Sequence, residues 1–496
     1  MAGMKFDFGN PAPQAKTLDE AQQIIDVLWD VMVGYQASHQ ALASKIADLE
    51  EKLKTNSNNS SKSPSSDWFT KKKKKKKYHG PGKHQALKQG AQPGHEGAGR
   101  PLLPPEAVDD TVVCLPQPTC ECGGSIKANG DKIKRHQQVE LPEIKPIVTE
   151  YQQVYGVCCG CGASHCGRLP DGVPNTLLGP RATASIAIFT GDYRLSKRQT
   201  QQLFGDFFNL PVSLGAISNA EEVVSNALAQ PVEEAKAYIR QQPVVHADET
   251  SHKQQGDKRW MWLATTLEVA VFIICSTRCM TAAKALLGED FLGILISDRY
   301  AAYNWIKTTC RQFCWAHLKR DFQKVSERSG QAGKIGDQIL GHIRRMFCLW
   351  RRLKDEEINR LTFQLAMLSI RSDMERLLEE GTVCGHQKTE NTCQKILRHK
   401  QALWTFVDID GVEPTNNLAE QQLRPYVLWR KSSFGSQSER GNRFVERMMT
   451  TTATCKLQGR NRYGYITAAV TAQLKNEAIP SLLPAKEEFE AVKLAA

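Results

Sequence analysis

Along residues 18–53 the apolar side chains fall at alternating steps of three and four: Leu18, Ala21, Ile25, Leu28, Met32, Tyr35, then Leu42, Ile46, Leu49 and Leu53, with His39 in the same series. That spacing predicts one long helix with a heptad seam, the pattern of a coiled coil that pairs two copies of the chain. Gly34 and His39 weaken its middle, and a single amphipathic helix packed on its own domain would carry the same stripe. The pattern then stops. Residues 55–100 are dominated by Ser, Asn, Lys, Gly and Pro, a composition that buries too little surface to fold alone. A flexible basic linker is predicted there, ending in the turn residues Gln92 to Gly97.

Periodicity returns after a cysteine-rich stretch. Thr183 to Thr190 is apolar, Tyr193 to Phe208 mixes basic and apolar residues, and Ser218 to Ile239 has helical spacing with an expected break at Pro231. Short helices carrying Arg194, Lys197 and Arg198 suit either a DNA-binding unit or a plain helical spacer. From 243 the pattern turns to strands. Pro243 to Ala247 leads into Asp248, Trp260 to Thr266 and Glu268 to Ser276 read as a hairpin, and Phe291 to Ser297 leads into Asp298. Cys310 to Cys314 is a short strand followed by a helix. Helical spacing resumes at Ile335, Ile339, Ile343, Met346, Trp350 and Leu353, then at Leu361, Leu365 and Leu368, and a last helical region follows Pro414.

Composition adds a partner. The 496 residues suggest about three domains. Lys+Arg total 65 against 53 Asp+Glu, a net charge of +12. The excess is clustered, in the run Lys71 to Lys77 and in Arg424, Arg430, Lys431, Arg440, Arg443 and Arg447. Clustered positive charge points to a polyanion, or simply to a solvated face. Met1 to Asn10 lacks the apolar core of a signal peptide. No apolar run reaches the about 18 residues of a membrane span. With 15 cysteines and no secretion signal, reduced thiols or metal ligands are expected in a cytoplasmic, nucleoid-associated protein.

Three acids stand out. Asp248 and Asp298 each end an apolar run, and Glu420 sits on a candidate helix. Two strand-end aspartates and a helical glutamate can hold a pair of Mg²⁺ (or Mn²⁺) ions for phosphodiester chemistry. Asn416, Asn417, Glu420 and Arg424 share one helical face. Pro425 predicts that the helix ends or kinks at Arg424, bringing Arg424, Arg430 and Lys431 next to the acids as phosphate contacts. Glu413, before Pro414, is a competing third acid.

The segments His246-Ala247-Asp248-Glu249-Thr250, Ser297-Asp298-Arg299-Tyr300-Ala301-Ala302-Tyr303, Cys314-Trp315-Ala316-His317-Leu318-Lys319-Arg320, and Glu413 through Glu420 to Arg424-Pro425 and Arg430-Lys431 resemble those of insertion sequence 66 family transposases. The resemblance runs over nearly the whole chain. It implies an α/β, RNase H-like catalytic fold with an Asp-Asp-Glu triad of Asp248, Asp298 and Glu420. The implied reaction is metal-dependent cleavage at the terminal inverted repeats of a mobile element, then attack of the freed 3′-hydroxyl on target DNA. Its implied partners are double-stranded DNA, a second copy or higher synaptic complex, and small accessory proteins. The resemblance also leaves His317 and Arg320 open as contacts to the DNA backbone near the acids. An inactive or domesticated DNA-binding protein, and a nuclease without strand transfer, are the alternatives.

Cys158-x-x-Cys161 has the spacing of a zinc knuckle, and Cys120-x-Cys122 lies upstream. The family carries a small structural zinc domain here, with Cys-x-x-Cys in both pairs. In this chain Thr119 stands at the first position, so Cys120 on a tighter loop, or Cys114, would serve. Cys310, Cys314 and His317 are a second metal candidate, which the strand between the cysteines would keep apart. The expected division is a zipper-like helix at 18–54, a linker at 55–100, a zinc-finger-like domain at 101–175 and a helical region at 176–240. A catalytic domain follows in two parts, 241–334 and 401–475, around a helical insertion at 335–400, with a tail at 476–496.

Overall fold

The computed structural model describes residues 15–53, 55–56, 59–60, 101–129, 132–171, 173 and 176–484. The predicted linker with its lysine run therefore lies almost wholly outside the described residues, as does the tail beyond 484. The heptad stretch forms helix α1 (Leu18–Leu53), with Asp19 and Glu20 in its first turn and Lys52 in its last, each at the favourable end of the helix dipole. Ile25, Leu28, Met32, Tyr35, Leu42, Ile46 and Leu49 on its seam are exposed.

Two compact units divide the chain: Lys72–Thr149 with Leu203–Pro211, and the remainder. Among the described residues of the smaller unit between 101 and 149, regular structure is confined to a single 3-10 turn at Pro105–Ala107. Gln137 brackets Leu103, accepting its N–H (2.8 Å) and donating to its carbonyl (3.0 Å). In the larger unit, β1 (Tyr155–Val157) and β2 (Ser164–Cys166) form an antiparallel hairpin. Helices α2 (Pro180–Ala187), α3 (Lys197–Phe208), whose residues from Leu203 on fall in the smaller unit, α4 (Leu214–Ala227) and α5 (Ala229–Arg240) follow. The break expected at Pro231 falls instead at Leu228, and Pro231 sits in the first turn of α5, where a missing N–H costs nothing.

Five strands make the central sheet: β3 (Val244–Gln254), β4 (Asp257–Thr265), β5 (Ala270–Cys275), β6 (Ile294–Ser297) and β7 (Arg311–Phe313), with α6 (Met280–Leu287) between β5 and β6. Their order is β5-β4-β3-β6-β7, antiparallel from β5 to β3 and parallel from β3 to β7. The strand read as ending at Asp248 runs on to Gln254, so Asp248 lies mid-strand. What ends it is a two-residue turn at Gln255 (φ 52°) and Gly256 (φ 90°), the positive-φ pair that matches hairpin twist.

The rest is helical: α7 (Trp315–Ser326), α8 (Gly330–Lys354), α9 (Arg360–Gly381), α10 (Gln387–Leu397), α11 (Thr405–Asp408), α12 (Asn417–Ser433), α13 (Glu439–Leu457) and α14 (Arg462–Leu474). Two apolar cores meet at the sheet. Leu295 on β6 belongs to one, with β3–β5, α12, α13 and α14; its neighbour Ile296 belongs to the other, with α7 to α10. Strand alternation sends adjacent side chains to opposite faces, so one strand feeds both. Ile335, Ile339, Ile343 and Met346 are buried as their spacing predicts. Leu361, Leu365 and Leu368 are not; α9 buries Phe363, Met367, Ile370, Met374 and Leu377 instead. Both sets have helical spacing, and only the packing partner selects between them.

Helix α13 seals the sheet edge. Thr454 accepts the N–H of Ala270 (3.1 Å), Thr450 that of Phe272 (3.0 Å) and Glu446 that of Ile274 (2.5 Å). Four helical residues rise about 6 Å and two strand residues about 6.6 Å, so the two periods nearly match. The outer N–H groups of β5, otherwise a template for another strand, are thereby satisfied.

Candidate active site

Parallel β3 and β6 place Val244 opposite Ile294, Val245 opposite Leu295 and His246 opposite Ile296. Asp248 and Asp298 each lie two residues beyond the last of these pairs, on strands about 4.8 Å apart. Equal offset puts the two aspartates at the same level along neighbouring strands. Backbone amides fix both: Asp248 Oδ1 accepts from Glu249 N–H (2.9 Å) and Asp298 Oδ1 from Tyr300 N–H (2.8 Å). Burial, then the charges of Glu249, Asp298 and Glu420, push the Asp248 carboxyl well above its usual range.

The third acid arrives on α12, whose start is pinned to the sheet. Asn416, the residue before the helix, is fully buried. Its side-chain amide donates to the carbonyl of Ala247 (2.8 Å), its oxygen meets His246 Nδ1 (3.2 Å), and its backbone N–H points at Cys314 Sγ (3.1 Å). Because the amide nitrogen is committed to Ala247, the oxygen faces the ring and Nδ1 carries the proton. Burial holds His246 neutral, lowered to about 4. Glu420 lies one turn in. Its Oε1 is 3.6 Å from His317 Nδ1 and 3.5 Å from Arg320 Nη2. Among the described residues, one group of three possible cation ligands has its donor atoms within 4.8 Å of one another: Cys314, His317 and Glu420. Glu420 thus has its nearest charged partners on α7.

Pro425 does not end α12, which runs through it to Ser433. Both Pro425 and Gln421, whose carbonyl loses its partner, are exposed, so the lost bond sits on the solvent side of the helix. The basic residues consequently spread along one continuous helix. Arg424 is exposed about one turn past Glu420. Arg430 and Lys431 lie about three turns on. Lys431 is exposed, whereas Arg430 donates to Thr250 Oγ1 (3.0 Å), Ser251 Oγ (2.9 Å) and the Ser251 carbonyl. Asn417 is exposed, separate from buried Asn416. Of the second metal candidate, Cys314 and His317 come together and Cys310 does not join them.

On the opposite face of β3, Glu249 is buried and tied to Arg278 (Nη2 2.5 Å, Nε 3.0 Å) and Tyr303 OH (2.7 Å). Arg278 stacks over Tyr300 and Trp260. Fully buried Arg311 donates to Asn304 (2.9 Å) and to the carbonyl of Asp298 (3.3 Å), and burial lowers it to about 10. Strand alternation alone says only that Glu249 points away from Asp248. Burying a charged residue requires a partner, but nothing in the spacing names Arg278.

Each cysteine pair sits on its own tight turn. Cys158 O accepts from Gly162 N–H (2.9 Å), and the amides of Cys161 and Gly160 lower the Cys158 thiol. Cys120 O accepts from Gly123 N–H (2.8 Å), one residue tighter, and the amide of Gly124 lowers the Cys122 thiol. Cys120 and Cys122 belong to the smaller unit, Cys158 and Cys161 to the larger. Either pair offers two thiolates on a turn, half of a tetrahedral zinc set.

A family model described as Transposase IS66 family matches residues 175–443, more than half of the chain, including Asp248, Asp298 and Glu420 but neither cysteine pair. The chain belongs to that family. A second model, for a family of unknown function, matches residues 10–101. An uncharacterized protein, y4qI, of Sinorhizobium fredii is 30% identical over 207 residues, covering 38% of this chain and 37% of that protein. The chain thus spans well under half the length of that relative. Among the described residues, no helix is long and apolar enough to cross a membrane.

Proposed function

We propose that this member of the IS66 family is a DNA transposase, with an RNase H-like sheet carrying an Asp248-Asp298-Glu420 triad. The observation that carries the reading is the equal register of Asp248 and Asp298 on adjacent parallel strands, with α12 tethered above them through Asn416. Three carboxylates, one driven up in pKa partly by the others' charge, make an oxygen donor set that a divalent cation would relieve, and the hard cation Mg²⁺ suits it. A pair of Mg²⁺ or Mn²⁺ ions, when bound, supplies activation of the attacking oxygen and charge stabilisation at the leaving oxygen. The chain's own task is to hold the oxygens: Glu249 N–H and Tyr300 N–H orient the aspartates, and α12 delivers Glu420.

The supporting parts follow the same logic. Exposed Arg424 and Lys431 extend a positive face from the acids for duplex phosphate. The exposed seam of α1 is a surface for a second copy, which would let two transposon ends be held together. The experiment is cleavage of duplex DNA carrying the element's terminal repeats by the purified full chain. Mg²⁺-dependent nicking and joining to target DNA are expected, with Asp248→Asn cutting the rate by ~10²–10³-fold, the scale of losing one charge-stabilising group, while DNA binding persists. Binding without cleavage in either cation, or unchanged cleavage by Asp248→Asn, would overturn the reading. Nicked products never joined to target would reduce it to a nuclease.

A further inference from the structure

Cys314 and His317 open α7, three residues apart, so one turn stacks them on the same face. Burial pushes the Cys314 thiol up to about 11, so without a cation it is neutral, yet the amide of Asn416 points at the sulfur from 3.1 Å and the amides of His317 and Ala316 partly offset that burial. Amide donors aimed at a sulfur are wasted on a neutral thiol and suit a metal-bound thiolate, whose outer partners are N–H groups. Facing it, His317 Nδ1 and Glu420 Oε1 are buried atoms with no hydrogen-bond partner among the described residues. They are 3.6 Å apart, too far for a hydrogen bond to each other.

We propose that Cys314, His317 and Glu420 form a binding site for one thiophilic divalent cation of the Zn²⁺ class, the three donors lying within 4.8 Å of one another. Sulfur, imidazole and carboxylate together are the ligand set of zinc and cobalt; Mg²⁺, which wants oxygen alone, is a poor fit. Arg320 Nη2 stands 3.5 Å from the same Glu420 oxygen, so its positive charge opposes the cation and gives way when the site fills. The site shares Glu420 with the triad proposed above, and this consequence rests on that reading: a cation held on α7 keeps Glu420 from Asp248 and Asp298. Thiophilic metal then acts as a brake on Mg²⁺-dependent cleavage.

The test is a Co²⁺ titration of the chelator-stripped full chain, read by thiolate-to-cobalt charge transfer and bound equivalents. Because Cys120, Cys122, Cys158 and Cys161 also offer thiolates, the readout is a difference between variants. Cys314→Ser, His317→Gln and Glu420→Gln should each bind at least one equivalent fewer per chain than the parent, with thermal midpoints of the metal-free proteins showing that they fold. Arg320→Gln should bind that equivalent more tightly. Equal stoichiometry and spectra in the parent and the Cys314, His317 and Glu420 variants would overturn the site. The cobalt readout does not depend on DNA cleavage, so a parent chain that never nicks DNA overturns only the transposase reading.

Discussion

Asn416 donates its side-chain amide to the backbone carbonyl of Ala247, 2.8 Å away, across 169 positions of sequence. Ala247 immediately precedes Asp248, and Asn416 immediately precedes the helix that carries Glu420. This hydrogen bond therefore ties the start of α12 to the strand beside Asp248, in addition to the buried apolar face of the helix. Asn416→Ala leaves the Ala247 carbonyl and the His246 Nδ1–H without their partner in a buried setting. The expected loss is about 2–3 kcal/mol of stability, read as a lower urea midpoint, together with a drop in cleavage rate beyond what the stability loss explains. A midpoint within about 0.5 kcal/mol of the parent would mean that α12 is held by its apolar face alone.

The ladder from α13 to β5 makes a separate prediction about stability. Thr450→Val keeps the shape but removes the acceptor of the Phe272 N–H, and Thr454→Val does the same for Ala270. Each should cost about 1–3 kcal/mol, the penalty of a buried amide left unpaired. The double variant should also aggregate faster on heating, since the edge of the sheet then offers free N–H groups. Light scattering during thermal denaturation measures this, and an unaltered aggregation rate would count against edge protection.

His246 gives stability a pH dependence of defined sign. Its folded pKa is lowered to about 4 by burial, against an ordinary value near 6.5. Unfolded chains therefore take up a proton that the folded chain refuses as pH falls. The stabilisation is complete above about 6.5, declines between about 6.5 and 4, and is fully lost below, amounting to ~3 kcal/mol. Asp248 acts in the opposite sense, since its raised pKa costs stability at neutral pH that acidification relieves. Comparison with His246→Asn, which retains an N–H donor and cannot titrate, isolates the histidine. Parallel stability-versus-pH curves for the two proteins would refute the assignment.

Arginines on α12 should divide by partner. Arg424 and Lys431 are exposed, so replacing either with alanine should weaken duplex binding and lower the salt slope by about 0.9 for each phosphate no longer neutralised, with the folding midpoint unmoved. Arg430 is bound to Thr250 and Ser251 of β3; Arg430→Ala should instead lower the folding midpoint. Salt-titrated binding curves beside urea melts distinguish them. A midpoint shift in Arg424→Ala with no change in salt slope would reverse the roles.

Local chemistry announces several features of the fold. The steps of three and four in residues 18–53 form a helix, and the runs around 260–275 form the hairpin. Asp298 follows its short apolar strand as expected. Where two faces of one segment have equal claims, pattern fails. Leu361, Leu365 and Leu368 are as plausibly buried as Phe363, Met367 and Ile370 until α8 packs against one side. Pro425 reads as a helix end or kink; the helix does not end there, and the carbonyl that loses its partner lies on an exposed residue.

Periodicity and side-chain type are local properties, so residue order alone determined most of the helices and strands, and the family. Convergence is not local. The register that aligns Asp248 with Asp298, the tether from Asn416 to Ala247, the partners of Glu249 and the approach of Cys314 and His317 to Glu420 all depend on strand pairing and helix packing across long stretches of chain. Those were decided by which buried donors could find acceptors and which apolar faces could meet, and only the folded chain satisfies both at once.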